Sequence, residues 1–334
     1  MSVLIIAEAG VNHNGSLELA KKMADVAKAA GADIVKYQTA KPELVVSRFA
    51  QKAEYQKEKT GADESQLEMI KKIHFGFDAH RELKEYCDSI GIMYLSTPFD
   101  MDSIDFLAEM DMPVWKIPSG EITNLPYLEK VAQLKKPIVM STGMCEIAEV
   151  NESLEVLYKN GATDVTILHC NTEYPTPLKD ANVKAMLDLQ KNFGTKIGYS
   201  DHTLGLEAPL AAVALGAEVI EKHFTLNKTL KGNDHYHAGD PTDFAKFVAN
   251  VDVLTAALGS SEKTVFPCEM VPRREARRSL VLTRDMKAGE VITETDLMPK
   301  RPGTGINPRY MDIVVGRKVL MDLEEDTILT WEIV

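Results

Sequence analysis

Two lysines, Lys36 in ADIVKYQT and Lys116 in VWKIPSGE, lie at the ends of short apolar runs. Two histidines do the same, His202 in KIGYSDHT and His223 in AEVIEKHF. A pair of ammonium groups with hydroxyl donors suits a small phosphorylated anion, and Thr97, Ser119 and Ser200 stand at matching run ends to supply those hydroxyls. A pair of imidazoles suits a divalent cation with positions left open for substrate. Read singly, each pair has a plainer explanation: strand-end lysines often form ion pairs, and lone histidines often only hydrogen-bond. Read together, they point to metal-assisted carbon–carbon bond formation on a phosphate-bearing substrate. The stretch IEKHFTLNKTLKGNDHYHAGDP sharpens the question, because three of the eight histidines, His223, His235 and His237, fall within it.

These groups need a frame that brings run ends together. Residues 1–260 alternate β-branched apolar runs, from VLIIAEAG to AEVIEKHF, with amphipathic stretches such as LELAKKMADVAKAAG and FDAHRELKEYCDSIG. Several of the helical patterns end in glycine, as a left-handed cap requires. Eight such units with near-continuous apolar strands predict parallel strands covered by helices, and eight closes a (β/α)₈ TIM barrel. An open doubly wound sheet is the rival, but no GxGxxG follows the first run. In a barrel the C-terminal strand ends share one face, where active sites lie. The polar insert KPELVVSRFAQKAEYQKEKTGADESQLEMIKK after the second run reads as a lid or interface element. Residues 261–278 read as a partly basic linker. Residues 279–334, short runs broken by turn residues, read as a small β-rich domain with little core of its own.

Composition narrows the partners. The net charge of −12 argues against nucleic acid, which needs a basic footprint. No apolar run is long enough to span a bilayer, and the opening MSVLIIAEAGVNHNG, without a basic n-region or a small-residue cleavage site, is not expected to be a signal peptide. Cys87, Cys145, Cys170 and Cys268 are scattered without a CxxC pair, which fits a reducing cytoplasm.

The motifs AEAGVNHNGS, VKYQT, STPFD, KIPSGEITNLPYL, STGM, YPTP, GYSDHT, GAEVIEKHFT and KRPGTGI, in this order, resemble those of the sialic acid (nonulosonic acid) synthases. The resemblance implies a (β/α)₈ barrel followed by an antifreeze-like (SAF) domain, in a domain-swapped homodimer. It implies condensation of phosphoenolpyruvate with an N-acylated mannosamine-type sugar, with C–O cleavage and release of phosphate. By motif, Lys36 and Lys116 should hold phosphoenolpyruvate, with Thr97, Ser119 and Ser200 as further donors. His202 and His223 should bind Mn²⁺ or Mg²⁺, and Glu8 should act as the acid–base carboxylate. Gln38, Tyr174 and Asp234 should face the sugar, and Arg301 should reach its N-acyl group from the partner subunit.

Two departures stand out. Thr172 precedes EYPTP where asparagine is common in the family. GNDHYHA carries Asn233 in place of a proline and Ala238 in place of a serine. His235 and His237 are therefore expected to shape the loop, leaving His223 as the ligand. QKAEYQ, ESQLEMIKK and GEITNLPYL look closer to the legionaminate-type branch than to the N-acetylneuraminate branch. No extra basic cluster for a sugar phosphate is evident. Two other readings remain: a Schiff-base aldolase using Lys36 or Lys116 as nucleophile, and a non-catalytic sugar-binding or regulatory protein.

Overall fold

The computed structural model describes residues 3–50, 65–232 and 234–334; QKAEYQ, Glu64 and Asn233 lie outside the described residues. Two compact units divide the chain, Met1–Gly259 and Ser260–Val334. In the first, the strands are β1 (Leu4–Gly10), β2 (Ile34–Thr39), β3 (Met93–Pro98) and β4 (Trp115–Ile117). They continue as β5 (Ile138–Ser141), β6 (Val165–Cys170), β7 (Lys196–Asp201) and β8 (Val219–His223). Parallel ladders join them in the order β3-β2-β1-β8-β7-β6-β5-β4. The end strands β3 and β4 lie alongside each other, so the sheet comes round as a near-closed barrel with a helix following each strand.

The strands are apolar almost throughout because both faces are covered: every residue of β6 and β8 is buried. The helices show the complementary stripe. Leu17–Ala29 buries Ala20, Met23, Ala24 and Ala27, one face at helical spacing, and Ser16 caps it by accepting from the Leu19 N–H. Helix Phe77–Ile90 closes at left-handed Gly91, as its sequence predicts.

Register sets the site. Glu8 on β1 pairs with Lys36 on β2 and with His223 on β8, while Ser200 on β7 pairs with Glu221. Strand alternation then separates the polar strand ends by face. Thr39 and Ser96, on the outer face, bond to each other at 2.6 Å. Lys222 and Asp201 form a buried ion pair there, with Lys222 also donating to the Thr203 carbonyl. His169 bonds the Ala181 carbonyl at 2.9 Å. These groups also stand at strand ends, yet they serve the fold.

The second unit pairs β9 (Ser279–Leu282) with β10 (Leu297–Lys300), antiparallel. Leu280, Leu282, Ile306, Val314, Val319 and Leu329 are among the residues of its own apolar core. The stretch read as linker contains a helix, Met270–Ala276; its Pro272 falls in the first turn, where no N–H partner is needed.

Gly198 is the tightest point of the barrel wall. A Cβ there would lie 2.3 Å from the Val219 carbonyl oxygen and 2.5 Å from Leu168 Cδ2. Because the backbone carbonyl is held in the ladder, Gly198→Ala should cost about 1–3 kcal/mol by overpacking, measurable in urea unfolding. A variant as stable as the parent would show that β7 and β8 are not so closely packed.

Candidate active site

Twelve of the residues singled out in the sequence line one cavity of about 380 Å³: Glu8, Lys36, Gln38, Thr97, Lys116, Ser119, Thr172, Tyr174, Ser200, His202, His223 and Asp234. Arg301 is an exposed residue of the second unit.

At the strand ends the cavity holds a buried cluster of charge. Lys36 Nζ lies 2.7 Å from Glu8 Oε2 and donates to Thr97 Oγ1 at 3.2 Å. Gln38 Nε2 donates to the other Glu8 oxygen at 3.1 Å. Lys116 Nζ donates to Ser141 Oγ at 2.7 Å. Glu221 sits between the lysines, with Oε2 3.6 Å from Lys36 Nζ and Oε1 3.7 Å from Lys116 Nζ, and it accepts from Ser200 Oγ at 3.1 Å. Ser119 Oγ accepts from the Gly143 N–H at 2.8 Å, which leaves its hydroxyl hydrogen free for an anion.

The four charges are driven apart in strength. Burial raises the Glu8 carboxyl, Lys36 pulls it back only in part, and the Glu221 charge adds to the rise, so Glu8 lies above the usual carboxylate range. Burial also opposes the Glu221 charge, but Lys116 and Lys36 outweigh it and hold Glu221 below that range. Burial depresses the Lys116 ammonium despite Glu221. At Lys36 burial is outweighed by Glu221 and Glu8, and the ammonium is raised. Two neighbouring carboxylates pushed in opposite directions suit opposite roles: Glu8 can carry a proton, while Glu221 remains a fixed anion.

Beside this cluster lie the imidazoles. The His202 and His223 rings are 5.3 Å apart edge to face, with the Tyr174 ring 4.2 Å from His202. His202 Nδ1 bonds the Asn171 carbonyl, so in the neutral ring Nδ1 carries the hydrogen and Nε2 the lone pair. Burial, reinforced by His237 and His202, holds His223 well below the usual imidazole range and therefore neutral. Its Nδ1 is buried without a hydrogen-bond partner among the described residues, 3.8 Å from Asp234 Oδ2. At His202 burial is outweighed by Cys170 and the Asn171 carbonyl, which raise it. A neutral imidazole with an orphaned nitrogen and a second imidazole beside it are donors that suit a divalent cation. Among the described residues no group of three or more His, Cys, Asp or Glu side chains is arranged to hold one, so the remaining positions would fall to water or substrate.

His235 is a loop residue, as expected: it bonds Thr225 Oγ1 at 2.7 Å and Asn14 Nδ2 at 3.2 Å. His237 lies closer to the chemistry. Its ring centroid is 5.0 Å from that of His223, and its Nε2 is 3.7 Å from Asp234 Oδ1. His13, at the end of β1, stacks on Phe75 and accepts from the Gly15 N–H; burial holds it at about 3. Thr172 reaches a position where a Cβ on residue 143 would lie 2.3 Å from its hydroxyl, so Gly143 makes room for it. Glu221 and Ser141 belong to the cluster although the run-end pattern does not single them out. The missed signal was spacing, since Glu221 is two residues before His223 and shares its face.

A family model described as the NeuB family matches residues 23–263, and one described as the SAF domain matches residues 277–334. N,N'-diacetyllegionaminic acid synthase of Campylobacter jejuni is 46% identical over 328 residues, 98% of each chain. The protein of the same name from Legionella pneumophila is 44% identical over 336 residues, 99% of this chain and 94% of that one. The crystal structure of N-acetylneuraminic acid (sialic acid) synthetase from Leptospira borgpetersenii, in complex with citrate, is similar with a TM-score of 0.73 and 33% identity. That match covers 81% of this chain and 90% of the other.

The charge cluster makes a stability prediction. Glu221→Gln leaves Lys116 without its buried counter-charge and should cost about 3 kcal/mol or more at neutral pH in urea unfolding. Without that carboxylate the folded-state Lys116 falls further below its unfolded value, so the folded protein binds fewer protons than the unfolded one at alkaline pH. Stability then gains with rising pH, and the deficit relative to the parent should shrink. A deficit that widened instead would mean that Glu221 does not hold Lys116 charged.

Proposed function

The chain belongs to the NeuB family, and on that premise we propose that it is a nonulosonic acid synthase, condensing phosphoenolpyruvate with an N-acylated mannosamine-type sugar. The observation that carries the reading is the single cavity shared by two ammonium groups and two imidazoles. The names of the nearer relatives favour 2,4-diacetamido-2,4,6-trideoxymannose as acceptor, giving N,N'-diacetyllegionaminate, over N-acetylmannosamine.

In this reading Lys36 and Lys116 hold the phosphate and carboxylate of phosphoenolpyruvate, helped by the hydroxyls of Thr97, Ser119 and Ser200. Gln38, Tyr174 and Asp234 position the open-chain sugar, with Thr172 at the rim. His202 and His223 would hold Mn²⁺ or Mg²⁺, which when bound supplies Lewis-acid polarisation of the sugar aldehyde. C3 of the enol then forms a bond to the aldehyde carbon as the C=O π bond breaks, and the oxygen takes the proton that Glu8 carries. The oxocarbenium-like C2 that results faces Glu221 and the bound phosphate. Water adds at C2 and gives its proton to Glu8, whose raised affinity suits that task. The tetrahedral intermediate breaks its C2–O bond, releasing inorganic phosphate and leaving the keto acid.

The chain works as a domain-swapped homodimer in this proposal, with Arg301 serving the N-acyl group in the partner's cavity. Its free thiols, Cys87, Cys145, Cys170 and Cys268, favour a cytoplasmic setting.

Phosphate release should require phosphoenolpyruvate and a mannosamine-type sugar together, cease with EDTA and return with Mn²⁺. With ¹⁸O in the enol C–O bridge, the label should leave in the phosphate. No turnover on any such sugar would end the synthase reading, and trapping of a pyruvate adduct by borohydride would favour the aldolase. Lys116→Met should lower kcat/KM for phosphoenolpyruvate about a hundred- to a thousandfold, as for loss of one preorganised donor. Because burial depresses Lys116 and activity needs its cation, the parent enzyme should lose rate with rising pH before an ordinary lysine would titrate. An alkaline limb unchanged by Lys116→Arg would argue against that assignment.

A further inference from the structure

The cavity has two chemically unlike sides. One is the ionic ring of strand ends. The other comes from the insert after β2: Val45 and Val46 at the end of helix Pro42–Val45, and Met69, Ile70 and Ile73 from helix Gln66–Ile73. The second helix is fixed at its start by a reciprocal cap between Ser65 and Glu68, and the two short helices pack on each other. Met69, Ile70 and Ile73 share a face at helical spacing. Met69 is buried, whereas Val45, at 37% exposure, marks the solvent edge. His74 follows, lining the same cavity, and burial lowers its imidazole to about 4, so it is neutral at working pH.

On this side no cation lines the cavity among the described residues. Among the described residues lining the cavity, the only ammonium or guanidinium groups are Lys36 and Lys116, and both lie in the cluster with Glu8 and Glu221. A dianionic phosphate placed against Val46, Ile70 and neutral His74 would lose hydration that these three side chains do not replace. A methyl group placed there would gain from burial.

Resting on the synthase reading, we propose that this wall determines acceptor specificity: it seats an uncharged, methyl-bearing end of the sugar and rejects acceptors phosphorylated at that end. Val46, Ile70 and Ile73 are then specificity residues, remote from the bond-forming carbons and in contact with the sugar's far end.

The test is a set of kcat/KM values from phosphate release by the full-length protein at saturating phosphoenolpyruvate. The acceptors are the 6-deoxy-diacetamido sugar, N-acetylmannosamine and N-acetylmannosamine 6-phosphate. The parent should favour the deoxy sugar over N-acetylmannosamine by roughly ten- to a hundredfold, the limit for an apolar pocket facing an added hydroxyl, and should use the 6-phosphate least. Ile70→Lys should raise the ratio of 6-phosphate to N-acetylmannosamine at least about tenfold, one ion pair's worth of discrimination, and Ile70→Leu should leave it near the parent value. Ratios taken within one variant cancel any loss of folded protein, and Val46→Lys provides a second, independent site. Equal use of the phosphorylated and unphosphorylated sugars by the parent would overturn the wall's role, as would ratios unmoved by both lysine substitutions. Turnover on none of the three sugars would remove the synthase reading itself, and the wall's role with it.

Discussion

Four ionisable groups taken out of water within one cluster, Glu8, Lys36, Lys116 and Glu221, are the constraint around which the rest of this barrel is arranged. Burying one such charge costs several kcal/mol, and mutual attraction offsets that only with close geometry and further hydrogen bonds. The barrel supplies both. Glu8 and Lys36 are register partners on β1 and β2, and Ser200 stands opposite Glu221 on β8. Thr97, Ser141 and Gln38 add further hydrogen bonds to the cluster. A one-residue slip of any of these strands would turn its charged group outward into the helix layer, away from its counter-charges. Charge satisfaction and strand register are thus one requirement.

The same logic explains why two buried polar pairs on the same strands have different fates. Lys222 and Asp201 are as buried as the cluster, but they face outward and bond Thr203 and each other. They hold the β7–β8 ends in place. One residue away on each strand, Glu221 and Ser200 face the cavity. Alternation along a strand separates scaffold from chemistry.

Much of this was legible in the chain. Eight apolar runs with helical stretches between them identify the barrel, since strands covered on both faces need continuous apolar sequence. Lys36, Lys116, His202 and His223 stand out because ionisable groups close apolar runs there. Polarity at a run end does not reveal which face a side chain takes: His13 stacks on Phe75 and His169 bonds the Ala181 carbonyl, whereas His202 lines the cavity. Glu221 was hidden by the adjacent Lys222. The apolar wall was less legible still: Val46, Ile70 and Ile73 lie in an insert whose short helices have no fixed place without tertiary contacts, and propensity alone cannot position them.

Electrostatic balance finally links the parts of the proposed site. The free cluster is formally neutral, two ammonium groups against two carboxylates. Phosphoenolpyruvate brings a carboxylate and a phosphate that is close to doubly ionised at neutral pH, about three negative charges in all. Buried beside Glu221 and Glu8, that excess would be repelled unless positive charge entered with it. Two routes are present in these residues. Glu8, already raised by burial and by Glu221, is the carboxylate that would take a proton first. The neutral His223 and the lone pair left on His202 offer a place for a divalent cation within the same cavity. A proton carrier and a cation site are therefore what two lysines, already committed to two carboxylates, require before they can accept such an anion.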